Sequence, residues 1–234
     1  KIYGEPDPEL TYTVTEGNLF GDDAFIGELV RSSGEDVETY SIIMGDLSAG
    51  NDYSLTFIEG VFTINQALLT VTPDSLSKTY GEIDPVLTYQ VTSGVLVGDD
   101  EFVGGLTREP FEDVGSYAVL PGTLTAGDNY YLTVEPGTFT ISQAFLTVTP
   151  DNLSKTFGEI DPLLTYQVTS GALVGDDTFA GALTRELFED VGTYAVLQGT
   201  LSAGSNYDLT IEPGTFIITP ALITVTADNT SKTY

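Results

Sequence analysis

The chain has 234 residues, 35 of them acidic against 7 basic, giving a formal net charge of -28, with 41% apolar residues and neither Cys nor His. That apolar fraction supports folded cores, while the missing Cys and His remove disulfides, thiolate and imidazole metal sites, Cys or His nucleophiles and Ser-His-Asp triads. The acidity disfavours nucleic acid and anionic membrane surfaces as partners, and no apolar run approaches the roughly 20 residues of a membrane span.

The first element in the chain, Tyr3-Gly4-Glu5-Pro6-Asp7-Pro8, returns as Tyr80-Gly81-Glu82-Ile83-Asp84-Pro85 and as Phe157-Gly158-Glu159-Ile160-Asp161-Pro162, an offset of 77 both times. Gly21-Asp22-Asp23 maps by the same offset to Gly98-Asp99-Asp100 and Gly175-Asp176-Asp177, and Tyr40 maps to Tyr117 and Tyr194. Residues 78–154 and 155–231 are identical at 57 of 77 positions. The three copies hold 14, 11 and 10 acidic residues against one Lys and one Arg each, so acidity belongs to the repeat and not to a tail. Lys1-Ile2-Tyr3 and Lys232-Thr233-Tyr234 stand at one phase of the repeat, and the chain reads as a stretch of a longer array continuing in both directions.

Within a copy, apolar residues alternate with Thr, Ser or Gln, the period of half-buried strands. In chain order these are Leu69-Thr70-Val71-Thr72, Leu87-Thr88-Tyr89-Gln90-Val91, Leu132-Thr133-Val134 and Phe139-Thr140-Ile141. Turn signals separate them: Pro73-Asp74, Asp84-Pro85, Ser93-Gly94, Val114-Gly115, Pro121-Gly122, Ala126-Gly127-Asp128 and Glu135-Pro136-Gly137. One short helical turn fits at Asp99-Asp100-Glu101-Phe102, where a carboxylate would cap free N–H groups. Each copy is thus expected to be all-β, a small antiparallel Ig-like sandwich of six or seven strands. Breaks are expected after Gln66, Gln143 and Pro220. The divisions are then 1–66, lacking its first strand, 67–143, 144–220, and 221–234 as the opening strand of a fourth copy. Such short joints restrain neighbouring copies end to end in an elongated array.

Several residue sets invite chemistry. Asp113-Val114-Gly115-Ser116-Tyr117, Asp190-Val191-Gly192-Thr193-Tyr194 and Asp36-Val37-Glu38-Thr39-Tyr40 have the spacing of a corner tyrosine bonded back to the main chain. Glu38 breaks the pattern in the first copy. The pairs Asp22 and Asp23, Asp99 and Asp100, and Asp176 and Asp177 offer clustered oxygens of the kind calcium prefers, although no EF-hand spacing is present and solvated turns with Asp capping backbone N–H groups are the favoured reading. Arg31, Arg108 and Arg185 are expected in exposed ion pairs worth roughly 0–1 kcal/mol each. Lys1, Lys78 and Lys155 have the chemistry for an isopeptide bond to Asn or Asp beside a buried Glu, a crosslink that an intact mass would show as a loss of ammonia or water. Paired carboxylates are the one catalytic route the composition leaves, and three near-identical copies without long insertions argue against an enzyme.

The elements at 80–96, 98–100, 113–117, 137–141 and 144–149, with their copies, resemble the MBG-type repeat domains of large bacterial surface proteins. The resemblance covers the whole chain and carries no catalytic residue. It implies stalk segments of long extracellular adhesins, including those Bacteroidota export to the outer surface, some for gliding motility. The expected role is therefore a structural stalk that presents a binding tip located elsewhere, with neighbouring repeats as its partners. The rival expectations are repeats that themselves bind a glycan or host protein, and a self-assembling sheath or surface layer. A 77-residue copy spans on the order of 30 Å, so three in line reach roughly 90–100 Å.

Overall fold

Where apolar and Thr-rich positions alternate, side chains fall on opposite faces and the chain extends; Gly and Pro turns end each run. The computed structural model describes residues 1–234 and contains strands, turns and irregular segments without a helix. In chain order the strands are β1 (Val30–Arg31), β2 (Thr39–Ile43), β3 (Gly60–Thr63), β4 (Ala67–Pro73), β5 (Leu76–Thr79), β6 (Tyr89–Ser93), β7 (Thr107–Arg108), β8 (Gly115–Leu120) and β9 (Tyr130–Val134). They continue with β10 (Gly137–Ser142), β11 (Ala144–Pro150), β12 (Leu153–Thr156), β13 (Tyr166–Ser170), β14 (Thr184–Arg185), β15 (Gly192–Leu197), β16 (Tyr207–Ile211) and β17 (Gly214–Thr219).

Two compact units divide the chain. The first comprises residues 1–76, 86–109 and 117–139. It holds the antiparallel sheet β1-β2-β3 and the sheet β6-β4-β9, in which β4 runs antiparallel to β6 and parallel to β9. The second unit comprises 77–85, 110–116 and 140–234. It contains both sheets of the third copy, β13-β11-β16 and β12-β17-β15-β14. Strands β5, β10, β8 and β7 follow the order of β12, β17, β15 and β14.

The third copy shows how alternation becomes a sandwich. Along β11, Leu146 and Val148 are 1% and 0% exposed, while Phe145 between the sheet and solvent is 74% exposed. Val148 meets Phe216 and Ile218 of β17, Val196 of β15, Leu183 and Leu201 in one buried cluster drawn from both sheets. Burying each such side chain contributes about 1.5–3 kcal/mol.

Most pairings of the third copy are antiparallel as expected, and two depart from that pattern: β11 runs parallel to β16, and β12 parallel to β17. The cause is a change of sheet. Pro150 has no N–H to continue the ladder, so β11 ends there and Asp151-Asn152 carries the chain across. Asn152 Oδ1 accepts hydrogen bonds from the Thr215 N–H (3.1 Å) and hydroxyl (2.8 Å), which fixes the crossing. Because the opening and closing strands of a copy run in the same direction, the chain enters at one end of the sandwich and leaves at the other. The helical turn expected at Asp99 is instead a tight turn, closed by the Asp100 N–H on the Val97 carbonyl at 3.1 Å.

In the first copy the counterparts of β13 and β16 are residues 12–16 and 53–57, and neither is a strand. A groove of about 690 Å³ lies between them, lined by Tyr12, Val14, Leu47, Tyr53 and Leu55 among others.

Candidate functional site

Each Tyr-Gly-Glu triplet at 3–5 and 80–82 stands where one copy meets the next. Glu82 shapes the second: its carboxylate accepts from the Thr79 N–H at 2.8 Å while its own N–H donates to the Thr79 carbonyl at 3.0 Å. That reciprocal turn aims Tyr80 at the third copy. Its hydroxyl donates to Asp177 Oδ2 at 2.9 Å, and the Tyr207 hydroxyl donates to the same oxygen at 2.6 Å while accepting from the Val174 N–H at 2.7 Å. The two rings lie edge to face, 5.4 Å apart at 82°. Gly81 is required here because its φ is +85° and a Cβ would stand 2.4 Å from Val174 Cγ2.

The first joint repeats this arrangement. Tyr3 and Tyr130 donate to Asp100 Oδ2 at 3.0 and 2.6 Å, the Val97 N–H donates to the Tyr130 hydroxyl at 2.7 Å, and Gly4 approaches Val97 as Gly81 approaches Val174. A second polar contact flanks each pair. Asn206 donates to Asp113 Oδ1 at 2.8 Å and accepts the Val114 N–H at 2.9 Å; Asn129 does the same for Asp36 (3.0 Å) and Val37 (2.8 Å). Burial first, then the Asp100 carboxylate, pushes the Tyr130 hydroxyl up to about 12. Burial and Asp100 likewise raise Tyr3, burial and Asp177 raise Tyr207, and Tyr80 is raised first by its bond to Asp177 and then by burial. All four hydroxyls therefore keep the proton that the joint uses.

A second cluster gathers the only Lys and only Arg of a copy. In the third, Lys155 Nζ lies 2.7 Å from Asp161 Oδ1 and also bonds Glu189. Arg185 grips Asp161 through Nε (2.7 Å) and Nη2 (3.0 Å), bonds Glu189, and donates to the Glu186 and Phe188 carbonyls at 2.7 and 2.6 Å. Its guanidinium also lies 4.9 Å from the centre of the Phe216 ring. The first copy builds the same set from Lys1, Arg31, Asp7 and Glu35.

Exposed pairs were expected for the arginines; the pairs form, but neither the arginines nor the lysines beside them are exposed. Arg185 is 4% exposed, Arg108 8%, Lys155 6% and Lys78 7%. The aromatic floor of the sandwich covers the guanidinium, so the pair is a half-buried strut and not a rim contact. The cluster also argues against the isopeptide reading. Arg185, together with Lys155, holds the Asp161 carboxyl down at about 2, and the Asp161 and Glu189 carboxylates raise the Lys155 amine. Amide formation needs the opposite, a neutral amine and a protonated acid.

The acidic pairs divide in the same way in the second and third copies. Asp99 and Asp176 are exposed turn residues, whereas Asp100 and Asp177 are the half-buried joint acceptors. Asp22 and Asp23 are both exposed, and Asp23 accepts only from Tyr53, at 2.6 Å. No group of three or more Asp or Glu side chains converges in a form that could hold a metal ion. The corner tyrosines do form: Tyr40 donates to the Asp36 carbonyl at 2.9 Å and Tyr194 to the Asp190 carbonyl at 2.7 Å, so Glu38 does not break the corner.

Sequence reasoning did not find the joint. The available signal was the recurrence of Tyr and Gly-Asp-Asp in one phase, and the partners lie 97 residues apart, more than one repeat period.

The geometry defines a class, tandem β-sandwich repeats keyed to one another by shared tyrosine and asparagine hydrogen bonds. The chain belongs to the MBG domain (YGX type) family, whose model matches residues 1–63, 69–140 and 146–217. This is a family of structural repeat domains and not of enzymes, and its repeats occur in extracellular, adhesin-like surface proteins. No curated protein matches the chain.

Proposed function

We propose that the chain is a stalk segment of a bacterial cell-surface adhesin, holding a distal binding tip away from the cell in adhesion or gliding. The observation that carries this reading is the duplication of the joint: the Tyr3 and Tyr80 contacts use equivalent residues at nearly equal distances. A joint that repeats with the sequence gives an array whose reach is set by copy number. Strong negative charge on every copy favours extension within a Debye length of about 8–10 Å and resists clumping of neighbouring fibres. The partners of such a segment are its own neighbouring repeats.

Two measurements test the reading. Small-angle scattering of the chain should give a slender particle with a maximum dimension of roughly 90–100 Å. Beads coated with the chain should bind neither glycan arrays nor cells. A compact particle, or specific capture of a glycan or cell, replaces the spacer reading with that of a binding module.

A further inference from the structure

The dipeptide Asp-Pro occurs three times in the chain, as Asp7-Pro8, Asp84-Pro85 and Asp161-Pro162, at one position of the repeat. Its chemistry is unusual. The side-chain carboxyl can attack its own backbone carbonyl carbon, an intramolecular reaction favoured by proximity, and the Pro nitrogen belongs to a tertiary amide and leaves readily once protonated. Burial does not protect the bond in the third copy: Asp161 and Pro162 are exposed, and Ile160 and Leu163 on either side are 92% and 80% exposed.

What restrains the reaction there is that both carboxylate oxygens are engaged. Asp161 Oδ1 lies 2.7 Å from Lys155 Nζ and accepts from Arg185 Nη2 at 3.0 Å, and Oδ2 accepts from Arg185 Nε at 2.7 Å. Arg185 is itself fixed by the Glu186 and Phe188 carbonyls and by Phe216 beneath it. The charged groups facing Asp161 are Lys155 from β12, Arg185 from β14 and, across both cations, Glu189 from the segment before β15. The other two dipeptides are held by equivalent residues: Asp7 Oδ1 lies 2.6 Å from Lys1 Nζ and Oδ2 2.5 Å from Arg31 Nε, and Asp84 Oδ1 lies 2.7 Å from Lys78 Nζ.

We propose that this clasp guards a cleavage site, one Asp-Pro peptide bond per copy, which the chain itself hydrolyses in mild acid wherever the clasp is opened. In the step, a side-chain oxygen of Asp161 forms a bond to the Asp161 carbonyl carbon and closes a cyclic anhydride. The bond from that carbon to the Pro162 nitrogen breaks, and the nitrogen leaves with a proton as a secondary amine. Water then opens the anhydride, so the first fragment ends in the free acid of Asp161 and the second begins with Pro162. A copy that loses its clasp is severed at its own bond, while copies that keep theirs stay intact. This chemistry does not depend on the stalk reading.

Intact mass of the 234-residue chain, incubated at about pH 3, tests the proposal. Asp161 in the folded copy is still ionised there, because its value lies at about 2. The wild-type chain should stay whole. Arg185→Gln, shown to be folded by near-ultraviolet circular dichroism, should give fragments 1–161 and 162–234, with cleavage at least about tenfold faster than at Asp7-Pro8 or Asp84-Pro85 in the same molecules, the ratio that one pKa unit represents. Adding Asp161→Asn to that variant removes the nucleophile and should restore the whole chain. Leu201→Ala loosens the buried cluster of the third copy without touching the clasp, and should also stay whole. If Arg185→Gln is unfolded at this pH, Lys155→Gln, which leaves the Arg185 grip in place, is compared with Leu201→Ala in its stead, with the same expectation. Wild-type chain unfolded in guanidinium at the same pH should be cut at all three bonds. The proposal is overturned by an intact clasp variant, by equal cleavage in Leu201→Ala, by cleavage that survives Asp161→Asn, or by an unfolded chain that remains whole.

Discussion

The inside of a copy and the joint between copies are built on different physics. Inside, Phe216, Ile218, Val148 and Leu201 lose nearly all contact with water, and the charged strut of Lys155 and Arg185 lies against that apolar floor. At the joint, Tyr80 packs beside Val174 and edge to face on Tyr207, and orientation comes from two hydroxyls on one carboxylate oxygen and one amide bridging a second. Burial is non-directional and proportional to area, whereas hydrogen bonds demand distance and angle. The copies therefore hold their fold by buried area, while their mutual placement adds directional bonds to a smaller apolar contact through Tyr80 and Val174.

The strongest way to break this contrast from the interior side is Arg185→Gln. It removes the bidentate grip on Asp161 and the bonds to two carbonyls, and is expected to destabilise the third copy by about 3 kcal/mol in denaturant unfolding. The same cluster sets the acid limb. The folded value of Asp161 lies at about 2, below its ordinary 3.8, so its contribution is present above about pH 4 and is lost as the pH falls towards 2. The variant should lose this part of the acid slope, and an unchanged slope would show that the strut does not couple to folding.

Gly81→Ala attacks the joint. A Cβ at φ +85° and 2.4 Å from Val174 strains the contact by about 1–2 kcal/mol. Amide exchange at Val114, whose N–H donates to Asn206, should quicken about tenfold while the unfolding midpoint of the sandwiches stays put. Tyr80→Phe is the gentler version, already present in nature's own hand at Phe157, and removes one hydroxyl for about 1 kcal/mol and a roughly fivefold faster exchange. A loss of overall stability in either variant would mean that joint and interior are one cooperative unit.

Alkali should separate the two regions without mutation. The folded value of Tyr130 is raised from 10.0 to about 12, so its contribution is complete below about pH 10 and is lost as the pH rises through 12. Exchange at Val37, which donates to Asn129 in the first joint, should accelerate over that window before the strands of the sandwich open.

Much of the interior could be read from the sequence because its signal is local. Alternation at Leu146 and Val148, the turn residues between strands and the corner spacing at Tyr194 each act within a few residues. The parallel pairing of β11 with β16 was not legible, since it depends on where Pro150 releases the chain. The joint was missed for a related reason: Tyr80 meets Asp177 across a full period, and a repeat search shows which positions recur without showing that one copy's Tyr answers the next copy's Asp. The burial of Arg185 was hidden as well, because its neighbours in sequence are polar and only the fold brings Phe216 beneath it.

The smallest expected effect concerns calcium at the Gly-Asp-Asp turns. A cation bridging Asp99 and Asp100 gains from relieving repulsion between two carboxylates, worth about 1 kcal/mol at 4 Å in water and severalfold more near a protein surface. It has to draw Asp100 Oδ2 away from two hydroxyl donors, one of them at 2.6 Å, and to find most of its six to eight oxygens in water. Asp22 and Asp23 face less competition, because Asp23 accepts from Tyr53 alone. Calcium at millimolar levels is accordingly expected to leave the melting temperature unchanged, with any binding confined to the first copy. A rise in melting temperature that EDTA reverses, together with slower exchange at Val97 and Val174, would instead make the turns cation ligands and place the metal at the joints.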